Sequence, residues 1–396
     1  MDDGAARRMT GTVEGDGSTD PCTVLHVFPT FCVGGVPIRI VDVANRLGAG
    51  FRHRVVALDG RMDALARVRA GTDFQAAPAV PAAARRGNLL AIMGYLKRVP
   101  VDLLCTYNFG AMDWCLGRTL SGGPAHLHFE SGFGPDEAHK PLLRRNLYRA
   151  VALRGAHRLV VPSYTLQRLA ARHSWAAAAK TKLVPNGVDT ALFRPAERGE
   201  ARRPSPGGER PVTVATVAPL RAEKRLDRLV AAVASLAAAS GAQAGPPFRV
   251  VITGDGPERP ALERAVSDRG LAGLVALPGA RDDVAAALQA ADVFVMTSET
   301  EQMPNALLQA MAAGLPVAAF DAGDIKVILP PEQLPFVCGQ GDERAFGVAL
   351  ARLVGDPALR QTLGAANRRR VEQAYGIDTM VEAYRRLYAA AIGGRA

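Results

Sequence analysis

Cysteine, aromatic side chains and long apolar runs are all scarce in this 396-residue chain. Each shortage removes a class of answer. The five cysteines, Cys22, Cys32, Cys105, Cys115 and Cys338, are odd in number and form no C-x-x-C pair. A disulfide framework or zinc knuckle is excluded on that pattern, and a reducing cytoplasm fits. Aromatics make up 6% of the residues, and no dense basic tract is interleaved with them. Nucleic acid is therefore not an expected partner despite the net charge of +10. No apolar run approaches the roughly 20 residues that cross a bilayer. Residues 1–21 carry Asp2, Asp3, Glu14 and Asp16 and lack the apolar core of a signal peptide, so they read as a disordered tail. No Asp-x-Asp motif and no spaced His/Cys set calls for a metal.

What is present is a chain long enough for about two domains, with 48% hydrophobic residues to fill their cores. Its positive charge is almost all arginine, which suits a phosphate-bearing ligand or an anionic membrane surface. Residues 24–28 read as a buried strand, followed by a loop with Gly34 and Gly35 and then by apolar residues at helical spacing from Ile38 to Leu47. Strands at 54–58, 101–106, 126–129, 159–162 and 182–185 alternate with helices at 89–98 and 142–153. A Pro, Gly, Arg and Glu-rich stretch over 194–211 reads as a linker. Strands then recur at 212–217, 248–253, 274–277, 293–296 and 317–320, with a helix at 226–236. Strands alternating with helices predict parallel sheets covered on both faces. The expected fold class is α/β: two facing Rossmann-like domains, 22–193 and 212–375, with a ligand cleft beyond the carboxyl ends of their strands. The last segment, 376–396, holds an amphipathic helix over 379–391. Whether it crosses back onto the first domain is not decided by spacing.

Four constellations carry candidate chemistry. After the strand at 292–297 comes a polar loop ending in Glu301, then Met303, Pro304 and Asn305, with Gln309 on the same helix face as Asn305. Free amides at that helix start favour anionic oxygen. Arg221 and Lys224 lie three apart in a loop between strand and helix, as suits a diphosphate. Gly34 and Gly35 allow close backbone approach to a ligand. His126, His128, Glu130, Gly132, Gly134, Asp136 and Glu137 gather just after a strand. Pro185-Asn186-Gly187 reads as a turn, and Gly254-Asp255-Gly256-Pro257 as a tight loop.

The run from Glu301 through Pro304, Asn305, Gln309 and Gly314 to Val317 resembles the signature of family-4 retaining glycosyltransferases, and Gly279 to Val284 with Arg281 resembles that family's approach to it. Two positions depart from the pattern. Gln309 stands where the family has a second Glu, a change worth about 1–2 kcal/mol of donor binding. Pro219 stands where many members have Arg.

The resemblance implies a GT-B fold and transfer of a sugar, with retained configuration and without a metal or other cofactor, from a UDP- or GDP-linked donor to a saccharide or lipid-linked saccharide. It implies that Arg221 and Lys224 hold the diphosphate, that Glu301 contacts the donor sugar and that Gln309 contacts the ribose. Gly34, Gly35, Arg281, Met303, Pro304 and Asn305 complete the donor side. His128 is expected to touch the transferred sugar or acceptor, with His126 and Glu130 on the acceptor side. Cell-surface polysaccharide assembly at the cytoplasmic membrane face is the expected setting, since helices at 89–98 and 142–153 (Arg144, Arg145 and Arg149) suit an anionic surface. The alternatives are a degenerate nucleotide-sugar-binding subunit, or a GT-B-like nucleotide-sugar epimerase.

Overall fold

The computed structural model describes residues 20–132, 142–196, 210–239 and 248–393. Most of the tail and linker, together with Gly134, Asp136 and Glu137, lie outside the described residues. Seven parallel strands form the first sheet: β1 (Cys22–Phe28), β2 (Phe51–Ala57), β3 (Phe74–Ala76), β4 (Leu103–Tyr107), β5 (Ala125–Phe129), β6 (Arg158–Val161) and β7 (Thr181–Leu183), in the order β3-β2-β1-β4-β5-β6-β7. Six more form the second: β8 (Val212–Val217), β9 (Phe248–Thr253), β10 (Val275–Gly279), β11 (Val293–Met296), β12 (Val317–Phe320) and β13 (Val337–Cys338), in the order β10-β9-β8-β11-β12-β13. Both are doubly wound. The order reverses between β1 and β4 in one sheet and between β8 and β11 in the other, which is where such sheets open a crevice at their carboxyl ends.

Burial follows from this layout. Every residue of β4, β11 and β12 is buried, because parallel strands are covered by helices on both faces. The pleat sorts side chains by parity. Along β1, Val24 and Phe28 join one core, while Leu25 and Val27 join the core on the other face. Several elements were not anticipated, among them a strand and a helix of the first half. The strand β3 is three residues long, and the helix Met112–Ser121 mixes Trp114 and Cys115 with Asp113 and Arg118. Neither carries a clear period.

The final helix, Ile377–Ala391, does cross back. Met380, Val381, Tyr384, Leu387 and Tyr388 fill the same core as Val24, Phe28 and Phe51. The Tyr384 ring stacks on Phe129 with centroids 5.3 Å apart, and Tyr388 meets Phe51 edge-on at 5.6 Å. Gly187 permits this crossing: a Cβ there would lie 2.8 Å from the Ile377 Cα.

Further bonds join the halves. The helix Tyr164–Arg172 has its first free amides satisfied from the other half. Asp324 accepts from the Tyr164 amide at 2.5 Å and the Thr165 amide at 3.0 Å, while the capping Ser163 hydroxyl accepts from Leu166. Arg67 pairs with Asp282 across the same divide.

Candidate functional site

The carboxyl ends of β8 and β11 open into a cleft of about 260 Å³ shared by both halves. The first half contributes Gly35, Val36, Arg39, Ser131 and Asn186. The second contributes the loop after β8, including Pro219 and Lys224, and the segment after β11, including Thr297, Ser298, Glu301, Met303, Pro304 and Asn305. A second, larger groove of about 930 Å³ lies between β7 and the final helix, shares Asn186 with the cleft, and holds none of the predicted donor residues.

Lys224 closes a short turn, Ala222–Lys224, which the loop after β11 fixes in place. The Thr297 hydroxyl donates to the Lys224 carbonyl at 2.9 Å, and the Glu299 amide donates to the Glu223 carbonyl at 2.9 Å. The Lys224 Nζ then reaches Glu301 Oε1 at 2.5 Å, forming a mostly buried ion pair inside the cleft. Two glycines hold these loops at their spacing. At Gly254 (φ +146°) a Cβ would sit 1.8 Å from the Ala218 carbonyl oxygen, and at Gly323 (φ +57°) it would sit 2.1 Å from the Glu301 carbonyl oxygen. The turn at Gly254 is thus a buttress for the Lys224 loop.

Asn305 begins the helix Asn305–Ala312 and faces the first half. Its Nδ2 lies 3.5 Å from the Gly35 carbonyl, and a Cβ on Gly35 would come within 3.3 Å of that nitrogen. Gly34 is extended (φ −176°) and a Cβ there would meet only the Cys32 carbonyl at an ordinary 3.8 Å, so its conformation does not require glycine. Asn186, which the sequence offered only as a turn residue, is a bridge. Its Nδ2 donates to Asn305 Oδ1 at 2.8 Å and to the Met303 carbonyl at 3.0 Å, while its Oδ1 accepts from Arg39.

The predicted residues therefore separate into two groups. Lys224, Glu301, Met303, Pro304, Asn305 and Gly35 line the cleft. Arg221 and Arg281 are exposed and do not line it, and Gln309, half-buried one turn beyond Asn305, does not either. Arg221 leaves the cleft wall at Pro219, which carries no charge.

His126, His128 and Glu130 need a correction. The pleat puts all three on the face of β5 under the helix Met112–Ser121, and they are 0%, 0% and 1% exposed. Their side chains face the core, and none of the three lines the cleft. The Thr106 hydroxyl lies 2.8 Å from His126 Nε2 and 2.8 Å from His128 Nδ1, with the Cys115 sulfur at 3.2 Å. These three groups cluster tightly enough for a metal set, which spacing along the chain did not reveal. The Thr106 hydroxyl bonds in their midst make a polar core the economical reading. Burial holds His126 well below its ordinary range. Burial also opposes charge on His128, but the Cys115 sulfur and Glu130 carboxylate outweigh it and push that imidazole up to about 9.

Arg149 completes this network and is likewise corrected. It is wholly buried, so it offers nothing to a membrane surface. Its Nε donates to Glu130 Oε2 at 3.3 Å, and the guanidinium lies over the rings of Phe109 (4.8 Å) and Trp175 (4.5 Å). Replacing Arg149→Leu leaves the buried Glu130 carboxylate, among the described residues, with only the His128 imidazole, 4.0 Å away, and urea unfolding is expected to show a loss of about 3 kcal/mol. Adding Glu130→Gln to it should recover part of that loss. A change under about 1 kcal/mol in the single variant would contradict the pairing.

With this geometry in place, comparison with known proteins gives a consistent result. The model described as Glycosyl transferases group 1 matches residues 211–356, and that described as Glycosyltransferase Family 4 matches residues 33–192. The chain is 31% identical over 225 residues to the sulfoquinovosyl transferase of Arabidopsis thaliana, covering 56% of this chain and 42% of that protein. It is 33% identical over 231 residues to the GDP-mannose-dependent alpha-(1-6)-phosphatidylinositol monomannoside mannosyltransferase of Mycobacterium tuberculosis, covering 56% and 58%. The chain thus spans about half the length of the curated relatives it matches. Among solved structures, Anabaena HepE in complex with UDP and glucose aligns with a TM-score of 0.78 at 15% identity, over 93% of this chain and 100% of that one. A sucrose-phosphate synthase from Thermosynechococcus elongatus aligns with a TM-score of 0.73 at 21% identity, over 93% and 100%. The likeness to these structures shows the fold, the two family models account for both halves, and the chain belongs to the family-4 glycosyltransferases of the GT-B fold.

Proposed function

We propose that this protein moves a sugar from a nucleoside diphosphate donor to a saccharide or lipid-linked saccharide, in the assembly of a cell-surface polysaccharide. One observation carries the reading: the Lys224–Glu301 pair lies in a two-sided cleft at the switch point of a doubly wound sheet. Lys224 turns from Glu301 to the donor diphosphate and stabilises the charge that grows as the nucleotide leaves. Glu301, released, accepts hydrogen bonds from the donor sugar's hydroxyls. The amides at the start of the helix Asn305–Ala312 face the same anion. Glu301 is the only carboxylate among the described cleft-lining residues, and in this reading it is taken up by the donor's hydroxyls. A front-face displacement, with the departing phosphate taking the acceptor proton, fits that inventory and retains the anomeric configuration. NMR of the product linkage tests this: an inverted anomer would refute the displacement.

Domains of 22–193 and 212–375, with the acceptor entering from the first, follow from the same reading. The base is left to experiment, because one curated relative is named for GDP-mannose and one structural neighbour holds UDP. Pro219 and Gln309 favour a second reading, a nucleotide-sugar-binding subunit without transfer. Gln309→Glu raising donor turnover would support the transferase, and no turnover in either form would support the subunit.

The acceptor side suggests an anionic membrane at the cytoplasmic face. No helix among the described residues is long and apolar enough to cross a membrane. The helix Leu143–Ala152, however, exposes Leu143 (82%), Leu147 (69%) and Val151 (37%) four residues apart, beside exposed Arg144 and Arg154. An apolar stripe flanked by arginine suits the headgroup boundary. Sedimentation with anionic vesicles at low salt should capture the protein, and Leu143→Glu with Leu147→Glu should release it. Equal capture of both forms would count against this surface.

A further inference from the structure

The cleft has a charge that its own residues leave unanswered. Three formally charged side chains line it among the described residues: Lys224, Glu301 and Arg39. Lys224 and Glu301 neutralise one another. Arg39 has no carboxylate within ion-pair reach among the described residues. It sits one turn into the helix Gly35–Leu47, on the register that also buries Ile40 and Val43, and is 7% exposed. Its terminal nitrogens donate to neutral acceptors, Asn186 Oδ1 and Ser131 Oγ (2.8 Å), and its Nε is buried without an acceptor. A guanidinium removed from water without a counter-charge is costly, and the arrangement becomes favourable when an anion arrives. The second half cannot fully supply the opposing charge for a diphosphate: Pro219 is neutral, Arg221 does not line the cleft, and Lys224 is shared with Glu301.

We propose that Arg39 is a ligand-positioning cation of this cleft, contacting the diphosphate of a nucleoside diphosphate from the first-half wall while Lys224 contacts it from the second. The proposal rests on reading the cleft as a donor site. It also gives the Arg39–Asn186–Asn305 chain a purpose, because the residue that meets the anion is bonded through Asn186 to the helix start that faces the same anion. Asn186 fixes the guanidinium, whose planar fork suits two phosphate oxygens.

The test compares wild type, Arg39→Lys and Arg39→Met. UDP and GDP are titrated calorimetrically, UMP and GMP are measured by displacement, and melting temperatures serve as the folding control. In Arg39→Met the diphosphate bound by wild type should weaken on the order of tenfold or more, with the mononucleotide changing less than about threefold. Arg39→Lys should fall between, since a point charge replaces the fork. A ratio of diphosphate to mononucleotide affinity that is unchanged in both variants would overturn the proposal, because a merely structural role weakens both ligands alike. Should Arg39→Met not fold, the ratio in Arg39→Lys decides alone. Wild type binding neither diphosphate would overturn the donor-site reading, and this inference with it.

Discussion

Lys224→Ala is expected to lower sugar transfer on the order of a hundred- to a thousandfold. Two losses combine. The ammonium that meets the departing diphosphate is gone, and Glu301, now 2.5 Å from nothing positive, turns its uncompensated charge toward the same phosphates. Glu301→Gln separates the two effects. It frees Lys224, so binding of the nucleoside diphosphate should hold or tighten, while transfer falls because the sugar loses an ionised acceptor. Opposite signs for binding in the two variants are the signature of a pair that opens for the ligand. Steady-state transfer and calorimetry on both variants check it. Equal weakening of binding by both would mean that the pair acts only as a structural clamp.

The second large effect concerns pH and the first core. His26 and His53 lie on one face of the sheet, with His26 Nε2 2.9 Å from His53 Nδ1 and His26 Nδ1 2.8 Å from the Tyr107 hydroxyl. Burial holds His53 down to about 4 and His26 well below its ordinary range. A histidine whose folded pKa is lowered leaves the unfolded chain binding the extra proton, so stability falls as pH drops below about 6.5 and continues to fall toward the folded value. His53 alone is worth about 3 kcal/mol over that window, with His26 and His126 adding in the same direction. His128 has the opposite sign. Held up at about 9, it contributes stability that is present below about 6.5 and is lost as pH rises through 9. Urea midpoints from pH 4.5 to 9.5 should therefore peak near neutrality and fall on both sides. A flat profile between pH 7.5 and 5 would mean that these imidazoles are charged or solvated in the folded protein.

Much of this molecule was legible before any coordinate. The strand–loop–helix openings of both halves, the break near residue 200 and the amphipathic end helix all follow from periodicity, because a doubly wound sheet repeats one local pattern. Lys224, Glu301 and Asn305 were legible because they stand in strand-end loops or at the helix start that follows one, Glu301 and Asn305 within a long matched signature. What stayed hidden was hidden for physical reasons. Parity along β5 sends His128 into the core, but a sequence of alternating residues does not say which face meets the cleft. Arg39 lay in an amphipathic helix that also carries Asp42 and Arg46, where an arginine looks like part of a solvated edge until the register shows it buried. Asn186 looked like a turn residue because its partners, Arg39 and Asn305, are 147 and 119 residues away. Arg221 and Lys224 are three apart along the chain, but of the two only Lys224 lines the cleft, and Arg221 is exposed before the short helical turn that Lys224 closes.

Calorimetric titration of the intact protein with UDP and with GDP tests the central claim most directly. Saturable binding of one nucleotide at a single site, weakened in Lys224→Ala, is the result predicted for a donor cleft between the two sheets. Folded protein that binds neither, or that binds one equally well with Lys224 removed, would contradict it.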